Sequence, residues 1–468
     1  YNPDVNDSAV DVTTGIGITF NKKVVAGSGT ATLKIVNAGA AGTTIQSWGV
    51  SSCTFDVQAF TMGALVSNLD TDQTYQVDIP SGFVVDGSES ATDYVGTAYT
   101  FTAKPAENKL FAWGYGSKGR TGHNNTTDYS SPVQIPGTTW RGSIAPGAGS
   151  MKVVISKTDG TLWAWGDKAS GSLAQNNETE YSSPVQIGTD TTWTAAVAGG
   201  YQAVLATKTD GTLWAWGLNS SGGLGLNNDT KYSSPVQVPG TTWPKTGDNK
   251  ITFDSGGSRA VKTDGTLWSW GSKSYGKLGL NDHVARSSPT QIPGTTWNNV
   301  LSGGEHVKGA TRTDGTLWMW GQNSAGPLGQ NDRTDRSSPI QIPGTTWSSG
   351  GMSDTAVGGI RTDGTLWTWG DNSNGELGLN NTVQYSSPVQ IPGTTWSKVV
   401  GSLEGHNMYA IKTDGTLWAW GKNERGQIGN NSEVPRYSSP VQVGTDTGYL
   451  TVRAIGSSVV ATQLDVTP

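Results

Sequence analysis

From about residue 109 to the C-terminus the chain repeats one pattern of apolar and polar positions. The run Leu162-Trp163-Ala164-Trp165 and its equivalents set large side chains on both faces of an extended segment, the pattern of a strand held between neighbouring sheets. Before it, an apolar stretch enters Thr-Asp-Gly-Thr-Leu-Trp. There Asp-Gly between apolar runs predicts a two-residue hairpin turn with positive φ values, at Asp159, Asp210, Asp264, Asp314, Asp363 and Asp414. After it come a Gly/Asn-rich loop and Ser-Ser-Pro, with the second serine at Ser131, Ser183, Ser234, Ser288, Ser338, Ser387 and Ser439. The proline is expected to start a strand or lie on an edge, where its missing N–H costs little. A Val-Gln-Ile type segment follows, then Thr-Thr-Trp in six units, ending at Trp140, Trp193, Trp243, Trp297, Trp347 and Trp396.

The Trp-Gly pairs fall at Trp113, Trp165, Trp216, Trp270, Trp320, Trp369 and Trp420, at intervals of 52, 51, 54, 50, 49 and 51 residues. Four short strands in such a unit make one propeller blade, and a blade buries both faces only by stacking in a closed ring. The expected fold is therefore all-β: a seven-bladed β-propeller over residues 109–468. Its first unit begins at Leu110 without a preceding hairpin, while Val459-Val460-Ala461-Thr462 aligns with Val204-Leu205-Ala206-Thr207. The C-terminal strands, about 449–466, are thus expected to complete the first blade. Trp165, Trp216, Trp270, Trp320, Trp369 and Trp420 are assigned to packing between blades, where each contributes roughly 1.5–3 kcal/mol by burial. For the Thr-Thr-Trp tryptophans, carbohydrate stacking is the alternative to packing.

Gly217-Leu218-Asn219-Ser220-Ser221-Gly222-Gly223-Leu224-Gly225 and Gly370-Asp371-Asn372-Ser373-Asn374-Gly375-Glu376-Leu377-Gly378 carry a resemblance. With the Asp-Gly turns and the Trp-Gly pairs, the chain resembles the regulator of chromosome condensation repeat family, in its compact bacterial and phage form. The resemblance implies the propeller fold. The family's eukaryotic namesake is a nucleotide-exchange factor that binds chromatin through extra loops and tails; here the units are uniform and carry neither. The family's recurring histidine is matched by His306 and His406, whereas Met151, Gln202 and Thr355 occupy the equivalent places. These histidines are read as hydrogen-bonding groups at strand ends.

Residues 1–105 lack the repeat. Ile18-Thr19-Phe20, Ala31-Thr32-Leu33-Lys34-Ile35-Val36 and Thr74-Tyr75-Gln76-Val77-Asp78-Ile79 alternate as half-buried strands do, and about seven such runs suggest an Ig-like β-sandwich. This part resembles the bacterial Ig-like domain of surface-layer proteins. It carries ten acids against four lysines and so accounts for the whole net charge of −6. The propeller is neutral, without the basic excess that phosphate contacts demand, and no nucleic-acid partner is expected.

No stretch approaches the roughly 18 apolar residues of a membrane span, so no membrane insertion is expected. Cys53 stands alone, which leaves no internal disulfide and no thiolate cluster; it is read as a small buried apolar side chain. The turn aspartates could form an acidic ring suited to calcium or a polyol, yet Asp also simply tolerates such turns, and no metal or cofactor is assigned. Triplets such as Asn177-Glu178-Thr179 and Asn228-Asp229-Thr230 are read as turn residues. No G-x-S-x-G elbow, phosphate-binding loop or H-E-x-x-H helix occurs, and no catalytic residue is assigned.

The expectation is a non-enzymatic surface or virion protein, with the propeller as a binding or display head on an Ig-like stem. A phage fibre, spike or capsid decoration is favoured over a secreted bacterial adhesin. Behind these stand an intracellular scaffold or GTPase exchange factor, which rests on the family resemblance alone, and a propeller enzyme. The partners expected are a protein or glycan surface ligand, and other virion or surface proteins through the N-terminal domain. Binding belongs on loops that break the repeat; the candidates are Lys245, Asp248, Asn249, His283 and Arg286.

Overall fold

The computed structural model describes residues 108–141, 152–177, 179–200, 203–245, 249–254, 256–301, 303–402, 405–432 and 434–464, together with strands between residues 17 and 102. The chain divides into two compact units, Tyr1–Ala106 and Glu107–Pro468.

The second unit is a seven-bladed propeller: its described strands form seven antiparallel sheets, six of four strands and one of three. Blade 4 shows the plan, with Ile251–Asp254, Gly257–Val261, Leu267–Gly271 and Arg286–Ile292 pairing in sequence order. First strands of neighbouring blades approach one another and therefore lie nearest the axis. In the three-stranded blade 2, residues 142–151 lie outside those described. Blade 1 is assembled from both ends of the unit, in the order Tyr129–Ile135, Asn108–Gly114, Ser458–Leu464, Tyr449–Ile455. Asn108 faces Leu464 and Gly114 faces Ser458, so the chain's last strand fills the gap beside its first propeller strand.

The Thr-Asp-Gly turn differs from the two-residue form expected. Gly160 alone takes a positive φ, at 78°. Its N–H donates to Lys157 O at 3.0 Å, while Lys157 N–H donates to Thr161 O at 2.9 Å. This is a type I turn over Thr158 and Asp159 followed by a left-handed glycine, the three-residue hairpin. The third strand of each blade bulges at Trp-Gly, as where the register slips between Ser269 and Gly271. Gly271 sits at φ +102°, and a Cβ there would lie 2.2 Å from Gly256 O, so the bulge excludes every other residue.

The Trp-Gly tryptophans are buried, and each indole N–H donates to a backbone carbonyl in the loop of the preceding blade. Trp165 reaches Arg120 O, Trp216 Ser172 O, Trp270 Gly223 O, Trp320 Lys277 O, Trp369 Pro327 O and Trp420 Glu376 O, at 2.6–3.0 Å. A side chain with a large apolar body and one polar handle thus fixes both the spacing and the rotation of adjacent blades.

In the first unit, Ala40–Gly49, Thr30–Asn37, Thr74–Ile79 and Thr97–Thr102 form a four-stranded sheet. A three-stranded sheet and a two-stranded ribbon accompany it, giving nine strands where about seven runs were expected. Ala31, Leu33, Trp48, Val77 and Ile79 are buried, and Lys34 pairs with Asp78 at 2.5 Å. Cys53 is half-buried rather than a core residue, its Sγ 3.6 Å from Gly49 O.

Candidate functional site

At the end of the blades that carries the Thr-Asp-Gly turns, the repeat's polar groups serve one another. Asp210 Oδ1 accepts from Thr212 N and Oγ1 at 2.9 and 2.7 Å, and Thr212 Oγ1 accepts from Trp214 Nε1 at 2.8 Å. The same threonine hydrogen bonds hold Asp210, Asp264, Asp314, Asp363 and Asp414 below the usual carboxylate range. The cation two residues before each of these aspartates lies between two tryptophans. Lys412 Nζ is 4.8 Å from the Trp396 ring and 4.0 Å from that of Trp418, and Lys157, Lys208, Lys262, Arg312 and Arg361 repeat the arrangement. The Thr-Thr-Trp tryptophans are themselves at most 3% exposed. Packing has taken the faces that carbohydrate stacking would need, and that role falls.

The serine pairs and loop asparagines clip neighbouring blades together. Asn227, at φ 58°, donates its backbone N–H to Ser287 O at 2.8 Å, and Ser288 Oγ donates to Asn227 Oδ1 at 3.2 Å. Asn228, first residue of a glycosylation-like triplet, closes a turn by accepting Thr230 N–H at 3.0 Å.

The opposite end carries the turns between first and second strands and the Gly/Asn-rich loops, and here several residues depart from the repeat. Tyr275 has a left-handed backbone, φ 55°, is 43% exposed, and tilts against the His306 ring at 4.6 Å. A bulky residue in that region is uncommon. His306 Nε2 is 3.8 Å from Glu305 Oε1, and Glu305 N–H donates to Asp354 Oδ1 in blade 6 at 3.2 Å. His406 Nδ1 lies 3.4 Å from Oε1 of the buried Glu376. Burial lowers the His306 pKa, whereas the hydrogen bond to Glu376 raises that of His406. Asp354 is raised, first by burial and then by the nearby Glu305 charge. Beneath them, between blades 4 and 5, Asp254 meets Arg259 and Lys308. This face therefore offers exposed Tyr275, half-buried Glu305 and two differently tuned imidazoles: groups suited to recognition by stacking, hydrogen bonding and charge.

The loop candidates are not brought together. Lys245 is exposed and Asn249 half-buried on the connection leading into Ile251–Asp254, while Asp248 lies outside the described residues. His283 is exposed and Arg286 half-buried at the other end of blade 4, where Arg286 Nη2 pairs with Asp282 Oδ2 at 2.6 Å. Sequence reasoning missed Tyr275, Asp254, Arg259, Lys277 and Lys308. The available signal was a charged residue at a unit position that is apolar or glycine in most other blades, as at Arg259 and Lys308.

A closed ring of antiparallel blades, linked by indole hydrogen bonds, defines the β-propeller class. Residues 210–246, 264–307, 314–358, 363–403 and 414–459 match the regulator of chromosome condensation (RCC1) repeat, and residues 1–103 match a bacterial Ig-like domain. The chain thus carries RCC1 repeats joined to a bacterial Ig-like domain.

Among characterised proteins it is 28% identical to the ultraviolet-B receptor UVR8 of Arabidopsis thaliana over 203 residues, 42% of this chain and 44% of the receptor. It is 27% identical to the human E3 ubiquitin-protein ligase HERC2 over 213 residues, 44% of this chain and 4% of the ligase. The chain therefore spans less than half the length of these relatives. Among solved structures, Prp20p of Saccharomyces cerevisiae superposes with a TM-score of 0.67 at 18% identity, covering 77% of this chain and 92% of Prp20p. Human WBSCR16 gives 0.65 at 20% identity, covering 77% of this chain and all of that one. Prp20p binds Gsp1p and histones; at these identities the likeness concerns the fold.

Proposed function

We propose that this chain is a non-enzymatic attachment or structural protein of a bacterial or virion surface, with the propeller as its binding head. The Ig-like unit joins it to other surface proteins. One observation carries the reading: the repeat's own polar groups are engaged in holding turns and blades, while a set of aromatic, imidazole and carboxylate side chains outside that pattern lies on one face of blades 4 to 7. Tyr275, Glu305, His306, Asp354 and His406 supply a recognition surface there, on a scaffold rigid enough to present it. The pairing of RCC1 repeats with a bacterial Ig-like domain supports a surface location. A phage fibre, spike or decoration protein is the form we favour. The propeller's neutral charge balance argues against a nucleic-acid partner, and a protein or glycan is the ligand class proposed. Kap60 was solved bound to the yeast RCC1 protein Prp20, which supports a protein partner over a small molecule.

Immunogold labelling of the native source, with antibody raised against the purified chain, tests this. Label on virions or on the outer cell surface is expected. Label confined to the cell interior would overturn the reading and favour a scaffold or exchange role.

A further inference from the structure

Where blade 7 meets blade 1, the propeller holds a guanidinium between a tyrosine and a carboxylate. Arg425 lies 4.8 Å over the Tyr115 ring, and its Nη1 is 3.8 Å from Asp128 Oδ2. A flat, weakly hydrated cation suits such a pair, because it stacks and hydrogen-bonds at once. Arg425 precedes Gly426 in its loop as Tyr275 precedes Gly276 in the loop of blade 4. At that place the other blades carry Lys, Ser, Ala, Asn or Arg, so Tyr275 is the aromatic exception. Around it the tyrosine and the carboxylates recur, but the cation does not.

Tyr275 is 43% exposed, and its ring tilts on that of His306 at 4.6 Å. His306 Nε2 is 3.8 Å from Glu305 Oε1, and Glu305 N–H donates to Asp354 Oδ1 at 3.2 Å, which draws three blades into one patch. Asp282 has its own cation in Arg286 at 2.6 Å, as Asp332 has in Arg336 at 2.7 Å. Among the described residues no lysine or arginine lies within ion-pair distance of the Glu305 or Asp354 carboxylate. Tyr275 Oη, Glu305 Oε2 and Asp354 Oδ2 make no hydrogen bond there either. Lys277, buried below, acts on Glu305 at longer range. The imidazoles do not supply the charge: burial lowers His306, and His406 is engaged by Glu376 at 3.4 Å. Burial, and after it the Glu305 charge, raise Asp354, so a cation brought to the patch relieves both carboxylates. A saccharide would use the ring and the free oxygens but leave the acidic pair uncompensated.

We infer that Tyr275, Glu305 and Asp354 form a subsite for one arginine side chain presented by a protein partner, its guanidinium stacked on the exposed Tyr275 ring and hydrogen-bonded to the carboxylates. The inference rests on this face being the propeller's recognition surface, as proposed above, and names the chemistry it recognises.

The test uses the full chain at neutral pH. A blocked tripeptide, acetyl-Gly-Arg-Gly-amide, is titrated in while the His306 ring protons are followed by NMR. Saturable shifts with a Kd on the order of 1–10 mM are expected for one side chain, with the His123 ring unmoved. The citrulline counterpart, which keeps the shape and drops the charge, should bind at least about ten times more weakly. Tyr275→Ala should weaken the arginine peptide about fivefold, and Glu305→Gln about tenfold. The citrulline comparison needs no variant, so it decides even if a substitution disturbs the loop. Equal binding of the two peptides, no shift at His306, or unchanged affinity in both variants overturns the inference. So does a methyl galactoside that moves His306 where the arginine peptide does not, which would make the site a glycan's. Immunogold label inside the cell with arginine binding intact would remove the surface reading and leave the subsite; surface label without arginine binding would do the reverse.

Discussion

Trp113 and Gln427 are 314 residues apart in the chain, and the Trp113 indole donates to the Gln427 carbonyl at 3.0 Å. It is the same bond that links each blade to its predecessor, here joining blade 1 to blade 7, so the ring closes through the contact that built it. Beside it, the last strand pairs with Asn108–Gly114 along its length.

Removing residues 458–468 should therefore do more than shorten one blade. It strips a neighbour from the Asn108–Gly114 strand and uncovers Val459, Val460 and Ala461 contacts within two core clusters. The truncated propeller is expected to unfold at a lower urea midpoint than the full chain. Trp113→Phe keeps most of the buried surface and removes the indole bond to the Gln427 carbonyl, which still accepts from Tyr409 Oη at 2.9 Å, so the loss should be about 0.5–1.5 kcal/mol. An unchanged urea midpoint in the truncated chain would show that closure contributes nothing.

The sandwiched cations give a sharper test of electrostatics. Lys412→Met retains an unbranched apolar chain between Trp396 and Trp418 and removes the charge, so the loss should approach the cation–π contribution, about 0.5–2 kcal/mol. Lys412→Arg should change stability by less than about 0.5 kcal/mol, because Arg312 and Arg361 already fill the equivalent place. Chemical denaturation of the three proteins compares them directly; equal stability of wild type and Lys412→Met would remove the interaction from the account.

His306 and His406 should titrate in opposite directions from an ordinary imidazole. The hydrogen bond to Glu376 lifts His406, so its stabilisation is complete below the unfolded value near 6.5 and is lost as pH rises through the higher folded value. Burial lowers His306, so stability falls as pH drops from 6.5 through its folded value. NMR titration of the ring protons, assigned by His→Gln variants, measures both. Glu376→Gln should bring His406 down and leave His306 in place; coincident titrations in the wild type would refute the pairing.

The propeller is legible in the sequence because every blade solves the same problem with the same residues. A tryptophan that must reach the preceding loop, a glycine that must bulge and a serine that must meet an asparagine recur at fixed spacing. The turn type was not legible. Asp-Gly suits both the two-residue and the three-residue hairpin, and the choice lies in whether Lys157 pairs with Thr161, which spacing alone leaves open. The charged interface between blades 4 and 5 was hidden for another reason. Arg259 and Lys308 stand in different repeats at different positions, and they converge only once alternation directs one forward and the other back. Lys245 and His283 drew attention as irregular loop residues, but irregularity in a connection does not report which end of the blade it serves.

Gly225 and Gly188 separate the two reasons for a glycine in this fold. Both have positive φ, 75° and 59°, so Ala at either carries a backbone penalty of about 1–2 kcal/mol. At Gly188 nothing lies within 4 Å of the added Cβ, and the penalty should end there. At Gly225 the Cβ would stand 2.7 Å from Trp270 Nε1 and 3.1 Å from Cε2. That indole is fully buried and tied to Gly223 O at 2.8 Å, so it cannot swing aside without breaking the link between blades 3 and 4. Overpacking should add about 1–3 kcal/mol. Urea unfolding of Gly225→Ala and Gly188→Ala measures the difference, and equal losses would mean that the indole contact is slack and the blades are held by their strands alone.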